Sequence, residues 1–146
     1  MPFNTGDTAT GAQAIKFELD IRKDGNFHEM CVNTLSESLN YNVETWTDFC
    51  SKGFSSSAMT GLDPEYSAEM IIRYDRSSAD LAKIRYDMHA VNNIPMRITN
   101  ELLNEIVEVN VTITSWNTNY VAEELIKADF TIKPFEGAPT VTRITP

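Results

Sequence analysis

The chain predicts a mainly β fold, a β-sandwich or barrel with one flanking α-helix and a long inter-strand loop. Two observations carry that expectation. Strict apolar/polar alternation recurs in segment after segment, the period-2 signature of strands with one buried face. Only one stretch shows helical spacing instead, and a Gly/Ser-rich excursion with embedded aromatics separates two of the alternating segments.

Each element follows from its residues. Residues 1–13 hold three threonines and two glycines without a packing pattern and read as an N-terminal arm; residues 14–146 read as a single domain. Ile15, Phe17, Leu19 and Ile21 alternate with Lys16, Glu18, Asp20 and Arg22, giving a strand with an apolar and a charged face. Asp24-Gly25 or Gly25-Asn26 supplies a turn. Phe27–Val32 is a second, less patterned strand. From about Glu37 to Thr45, Leu39, Tyr41 and Val43 oppose Ser38, Asn40, Asn42 and Glu44. The return strand covers about Tyr66–Asp75, with Ala68, Met70, Ile72 and Tyr74 opposing Glu69, Ile71, Arg73 and Asp75.

Ser77 or Ser78 caps the predicted helix, Asp80 sits in its first turn, and Leu81, Ile84 and Met88 follow at helical spacing. Asn92-Asn93 and Pro95 end it. A short strand at Met96–Thr99 follows. Val107, Val109, Val111 and Ile113 against Glu108, Asn110, Thr112 and Thr114 give the cleanest alternation in the chain. Ile126, Ala128, Phe130 and Ile132 against Lys127, Asp129, Thr131 and Lys133 give the last long strand. The tail from Pro134 is an extended segment or edge strand.

Length and charge narrow the function. A chain of 146 residues buries enough surface to fold without metal or disulfide. A net charge of −9 argues against gripping phosphates or an anionic membrane, since both need Lys and Arg. No apolar run approaches a membrane span. Cys31 and Cys50 do not make a disulfide framework, and the thiols of a cytoplasmically made protein stay reduced. His28, Glu29 and Cys31 are close, but structural zinc needs a second ligand cluster that the sequence lacks. His89 stands alone on the predicted helix. Phosphate loops, helical His-Glu-x-x-His motifs and nucleophile elbows are missing, so neither an enzyme nor a cofactor is expected.

The excursion is more specific. Trp46, Phe49 and Phe54 cluster where a loop is ordinarily polar. They either fold back on the domain's own core or fill a pocket on another subunit, where aromatics concentrate. Val43-Glu44-Thr45-Trp46 with Asp48, then Gly53-Phe54, Thr60-Gly61 and Gly137-x-Pro139-Thr140, occur in an order that resembles the tail tube (major tail) proteins of long non-contractile-tailed bacteriophages. The resemblance covers roughly Ser36–Thr142. Two departures stand out: Pro64 lies inside the excursion, and the helix lacks a Gly-Asp-Pro-like lead-in.

That resemblance implies six copies closing into a ring and rings stacking into a hollow tube through which DNA passes. It implies tail-tip, tape-measure and terminator proteins as partners, no membrane, and assembly in a bacterial host cytoplasm into a virion tail or tail-like particle. Its inter-subunit loop maps to Trp46, Phe49, Gly53, Phe54, Thr60 and Gly61. The polar strand faces then supply a lumen lining: Ser38, Asn40, Asn42 and Glu44; Glu69, Arg73 and Asp75; Glu108, Asn110, Thr112 and Thr114; and Asp129. With Lys127 and Lys133 included, that lining holds five acids against three bases. The interval 98–126 carries five glutamates and no Lys or Arg. The same polar faces also suit an ordinary one-sided sheet in water. The competing assignment is a soluble β-sandwich that binds carbohydrate or peptide, with Trp46 as its platform.

Overall fold

Alternating side chains bury one face only if the strands carrying them share a sheet, and here they share a single one. The computed structural model describes residues 3–73 and 78–144. It contains α1 (Gly11–Ala14), β1 (Ile15–Leu19), β2 (His28–Glu29), β3 (Thr34–Trp46), β4 (Ser56–Ile71), α2 (Ser78–Tyr86), β5 (Ile94–Asn100), β6 (Glu105–Asn119), β7 (Lys127–Pro134) and β8 (Thr140–Arg143). A 3-10 turn at Phe49–Ser51 lies between β3 and β4. All described strand pairs are antiparallel, in the order β2-β1-β5-β6-β7-β4-β3.

The sheet is rolled into a barrel. Its two end strands, β2 and β3, are consecutive in the chain, and residues 30–33 join them. The Met30 N–H donates to the Phe17 carbonyl of β1 at 2.8 Å, and the Asn33 N–H donates to the Glu69 carbonyl of β4 at 2.9 Å. One short stretch therefore stitches both edges together. The Phe17 and Phe130 rings lie 6.4 Å apart, centroid to centroid. In a flat sheet, the three strand steps between β1 and β7 would separate them by about 14 Å. Only curvature brings them together, and Trp116 also stacks on Phe130 at 5.2 Å.

β6 makes the roll possible. Its first half lies between β5 and β8, and its second half pairs with β7. A bulge between Ile113 and Ser115 bends it, leaving Thr114 as the extra residue. Within the barrel, Tyr66, Phe130, Leu19, Ile94, Met96, Ile132 and Val111 are essentially sealed from water. Leu81 and Ile84 of α2 join this core, so the helix packs its apolar side on the barrel.

Several elements differ from the sequence expectation. β4 begins at Ser56, ten residues before the predicted start, so most of the expected loop is strand. The long inter-strand loop is instead a β-hairpin arm whose only irregular part is its tip. The helix stops at Tyr86, and Met88 is largely exposed rather than packed. Asp87 ends the helix early by accepting the His89 and Ala90 N–H groups. Asp80 does more than complement the dipole: buried in the first turn, it accepts two contacts from Arg22 Nε at 3.2 and 3.3 Å.

On the charged face of β1, Lys16 is exposed but Glu18 is not. Glu18 is buried under a two-pronged pair with Arg97, both contacts at 3.1 Å, and the Arg97 guanidinium lies 4.3 Å from the Phe27 ring centroid. Asp20 is buried because its carboxylate accepts the Asp24 and Gly25 N–H groups of the following turn. A charge at a strand position marks the outer face; a covering loop can still remove it from water.

Burial pushes the Tyr66 hydroxyl up to about 12, and the Glu37 carboxylate adds to the shift. Tyrosine in the unfolded chain titrates near 10, so above that pH the unfolded state loses its proton first. Stability is then complete below pH 10 and falls as pH rises toward 12. By linkage the loss from this group is about 3 kcal/mol. Urea titrations across that range should show the decline, and Tyr66→Phe should flatten it relative to the parent.

Candidate assembly surface

The arm is formed by the outer parts of β3 and β4. Residues Leu39–Trp46 pair with Pro64–Ser56, extending the hairpin about 25 Å beyond the barrel. Pro64 is buried and marks where the barrel ends. Beyond it, the face that was interior continues into solvent with Leu39, Tyr41 and Val43 on β3 and Leu62 and Met59 on β4. These five are between 41% and 63% exposed.

The spacing of Leu62 and Met59 is three, which a regular strand would send to opposite faces. A bulge corrects this. The register pairs Asn42 with Gly61 and then Val43 with Met59, so Thr60 is the extra residue and Met59 returns to the apolar face. The Thr60 hydroxyl donates to the Asn42 carbonyl at 3.2 Å. Gly61 keeps the crossing tight: a Cβ there would meet Asn42 Nδ2 at 3.3 Å. Thr60 and Gly61 are thus the phase-setting step of a strand, not loop residues.

Gly53 has a positive φ of 87°, the backbone that lets the tip reverse. Trp46, Phe49 and Phe54 are 45%, 102% and 78% exposed, so none folds back onto the core. Because Phe49 and Phe54 are largely exposed, Phe49→Ala and Phe54→Ala should leave the stability of the isolated chain unchanged to within about 0.5 kcal/mol in urea melts. A loss of several kcal/mol would place the rings in the core.

The reverse side of the same sheet is polar. Register places Ser38, Asn40, Asn42 and Glu44 of β3 beside Glu65, Asp63, Gly61 and Ala58 of β4. β4 in turn lines Glu69 up with Asp129, and Ser67 with Thr131, of β7. β7 places Lys133 beside Thr112 and Thr131 beside Ser115, with Thr114 at the bulge donating to the Thr131 carbonyl. Asn110 and Glu108 continue that face along β6, where Glu108 opposes Arg97 and holds its guanidinium charged, second to Glu18.

Two predicted residues stand apart. Arg73 lies beyond the end of β4 and lines a cleft against α2; Asp75 lies outside the described residues. Asp63 and Glu65 join this face because β4 starts ten residues before the expected strand; positions 63, 65, 67 and 69 carry that alternation in the sequence. The described face of β3, β4, β6 and β7 therefore carries six carboxylates (Glu44, Asp63, Glu65, Glu69, Glu108 and Asp129) against Lys127 and Lys133. Lys133 is held by Glu65 at 3.6 Å. Glu69 and Asp129 are direct cross-strand neighbours, an arrangement that costs stability. Asn33 relieves part of it by donating to Glu69 at 3.0 Å.

Among the described residues no group of three or more His, Cys, Asp or Glu side chains is arranged to hold a metal, and no helix is long and apolar enough to cross a membrane. Cys31 and Cys50 are free and exposed.

The sequence matches no family profile and no curated protein. The folded chain does match solved structures. A chain from the tail of an empty gene transfer agent particle, refined helically with C6 symmetry, superposes with a TM-score of 0.75 at 15% identity, covering 92% of this chain and 99% of that one. The SPP1 tail tube gives 0.68 at 9% identity over 91% and 79%. The sheath–tube complex of PVC, an extracellular contractile injection system, gives 0.63 at 12% identity over 94% and 100%. The chain has the tail-tube fold, mainly β with an eight-stranded antiparallel sheet.

Proposed function

We propose that this chain is a structural subunit of a phage tail, or of a phage-derived tail-like particle. It self-assembles into hexameric rings that stack into a hollow tube and conduct DNA. The observation that carries this reading is the two-sided arm. One side extends a barrel's interior face into solvent and needs a partner to cover it. The other extends a polar, net acidic face that four adjacent strands share. Exposed apolar sheet and open strand edges are liabilities for a monomer and contact surfaces for an oligomer.

In this reading the polar face lines the lumen, the arm and the segment 1–13 contact neighbouring subunits, and tail-tip, tape-measure and terminator proteins bound the tube. The tail assembles in the host cytoplasm, and the subunit has no catalytic role. Tail-tube likeness to a particle refined with C6 symmetry supports the ring. Sedimentation against concentration, followed by electron microscopy, tests it directly. Rings or filaments are expected; a chain that stays monomeric at high concentration, with or without a tail-tip nucleus, would instead be the soluble binding module.

The lumen assignment has its own test. Glu44→Lys with Glu108→Lys turns six carboxylates against two lysines into four against four. Cations facing a duplex release its counterions and bind it, whereas carboxylates let it pass. Tubes of the double variant should retain duplex DNA at low ionic strength and release it as salt rises, while parent tubes retain none. Equal behaviour of the two would place this face outside the lumen.

A further inference from the structure

We propose that residues 78–90, α2 and the turn behind it, form a flap that opens from the barrel as a unit, and that Arg22 and Lys23 are the clasp that holds it shut. The clasp is electrostatic, so ionic strength sets how often the flap opens. The device belongs to the single subunit and does not rest on the tube reading.

The flap has little of its own to keep it in place. α2 is nine residues long, and a helix that short is marginal in water without packing. Its apolar contribution to the core is Leu81 and Ile84. That contact is incomplete, because a cleft of about 220 Å³ separates Leu81 and Arg85 of the helix from Ile72, Trp116, Thr118 and Ile126. Side chains facing such a gap lose dispersion contacts on that side. Arg85 Nη1 reaches across it to the Tyr120 hydroxyl only at 3.5 Å. The segment behind the flap is better fixed. The Ile113 N–H donates to the Val91 carbonyl at 3.0 Å, and the Thr112 hydroxyl donates to Asn92 Oδ1 at 2.9 Å. Asn93 follows with a left-handed φ of 58°, and β5 begins at Ile94. Residues 91–93 are therefore the hinge.

Two consecutive residues of the turn after β1 hold both ends of this flap. Arg22 Nε donates to the two carboxylate oxygens of Asp80, in the first turn of α2, at 3.2 and 3.3 Å. Lys23 Nζ donates to the His89 carbonyl at 3.3 Å and to the Asn92 carbonyl at 2.7 Å, at the hinge. Lys23 has a left-handed φ of 57°, a backbone uncommon outside glycine. The turn is itself well anchored. The Lys23 N–H donates to the Asp20 carbonyl, the buried Asp20 carboxylate accepts the Asp24 and Gly25 N–H groups, and the Asp20 N–H donates to the Pro95 carbonyl of β5. A fixed turn thus grips a loosely packed segment through two cations. Asp80 supplies the drive to open: it is buried, so a weakened Arg22 contact leaves its charge unpaired, and lifting the flap returns that carboxylate to water. Cooperative local units with few buried contacts open well below the cost of global unfolding.

The test is amide hydrogen exchange on the full-length chain, at a concentration where sedimentation shows monomer. In the parent, α2 amides should exchange faster than those of β5 and β6. Raising ionic strength from about 0.01 M to about 1 M shortens the screening length from about 30 Å to about 3 Å, and should accelerate α2 while leaving β5 and β6 unchanged. Arg22→Met with Lys23→Met keeps the aliphatic stems and removes the donors. It should speed α2 exchange about tenfold or more, the scale of a lost charge-assisted hydrogen bond, and abolish the salt response. Arg22→Lys with Lys23→Arg should retain both the protection and the response. If α2 in the parent exchanges in step with β5 and β6 at both ionic strengths, the helix is a fixed part of the barrel and the flap is overturned, whether or not the methionine variant folds. A methionine variant that protects α2 as well as the parent does overturns the clasp.

Discussion

β4 is a single continuous strand whose inward face passes from a barrel interior to open water at Pro64, and the rest of the molecule depends on that passage. Tyr66, Ala68 and Met70 face a closed core; Leu62 and Met59, on the same face of the same strand, face solvent. A sheet cannot end its pleat at the barrel rim, because backbone pairing with β3 carries the alternation outward. The barrel therefore supplies rigidity to an arm that has no core of its own.

That division separates stability from assembly. Rolling the sheet brings Phe17, Phe130 and Trp116 into one stack, and residues 30–33 close the roll by hydrogen-bonding both edges. The apolar area buried there is what holds the chain folded. The arm adds backbone pairing but leaves large apolar side chains wet, a cost that only another surface removes. On the polar side the same tension appears in charge. Glu69 opposite Asp129 weakens the strand pair. Carboxylates so placed are not what the stability of the monomer alone would select.

The ion pairs follow the same logic. Arg97 is gripped by Glu18, covered by Phe27 and faced by Glu108, and Lys133 is held by Glu65. These cations therefore reach the surface already matched by carboxylates.

The sequence by itself determined which residues share a face. Alternation at 15–21, 107–113 and 126–132 needs no structure to interpret, because a strand's pleat converts parity into side. The sequence also marked Trp46, Phe49 and Phe54 as rings without a place in a loop, and it put Ser38, Asn40 and Asn42 on one face of their strand. Tertiary structure decided what parity cannot encode. The bulge at Thr60 shifts the phase of β4 by one residue, so the apolar face of 56–63 shows no period-2 pattern in the sequence. Glu18 and Asp20 sit at polar positions yet are buried, since Arg97 of β5 covers the first and the turn at Asp24-Gly25 folds back onto the second. Closure of the barrel rests on hydrogen bonds from Met30 and Asn33 to strands far apart in sequence, and no local pattern records which edges will meet.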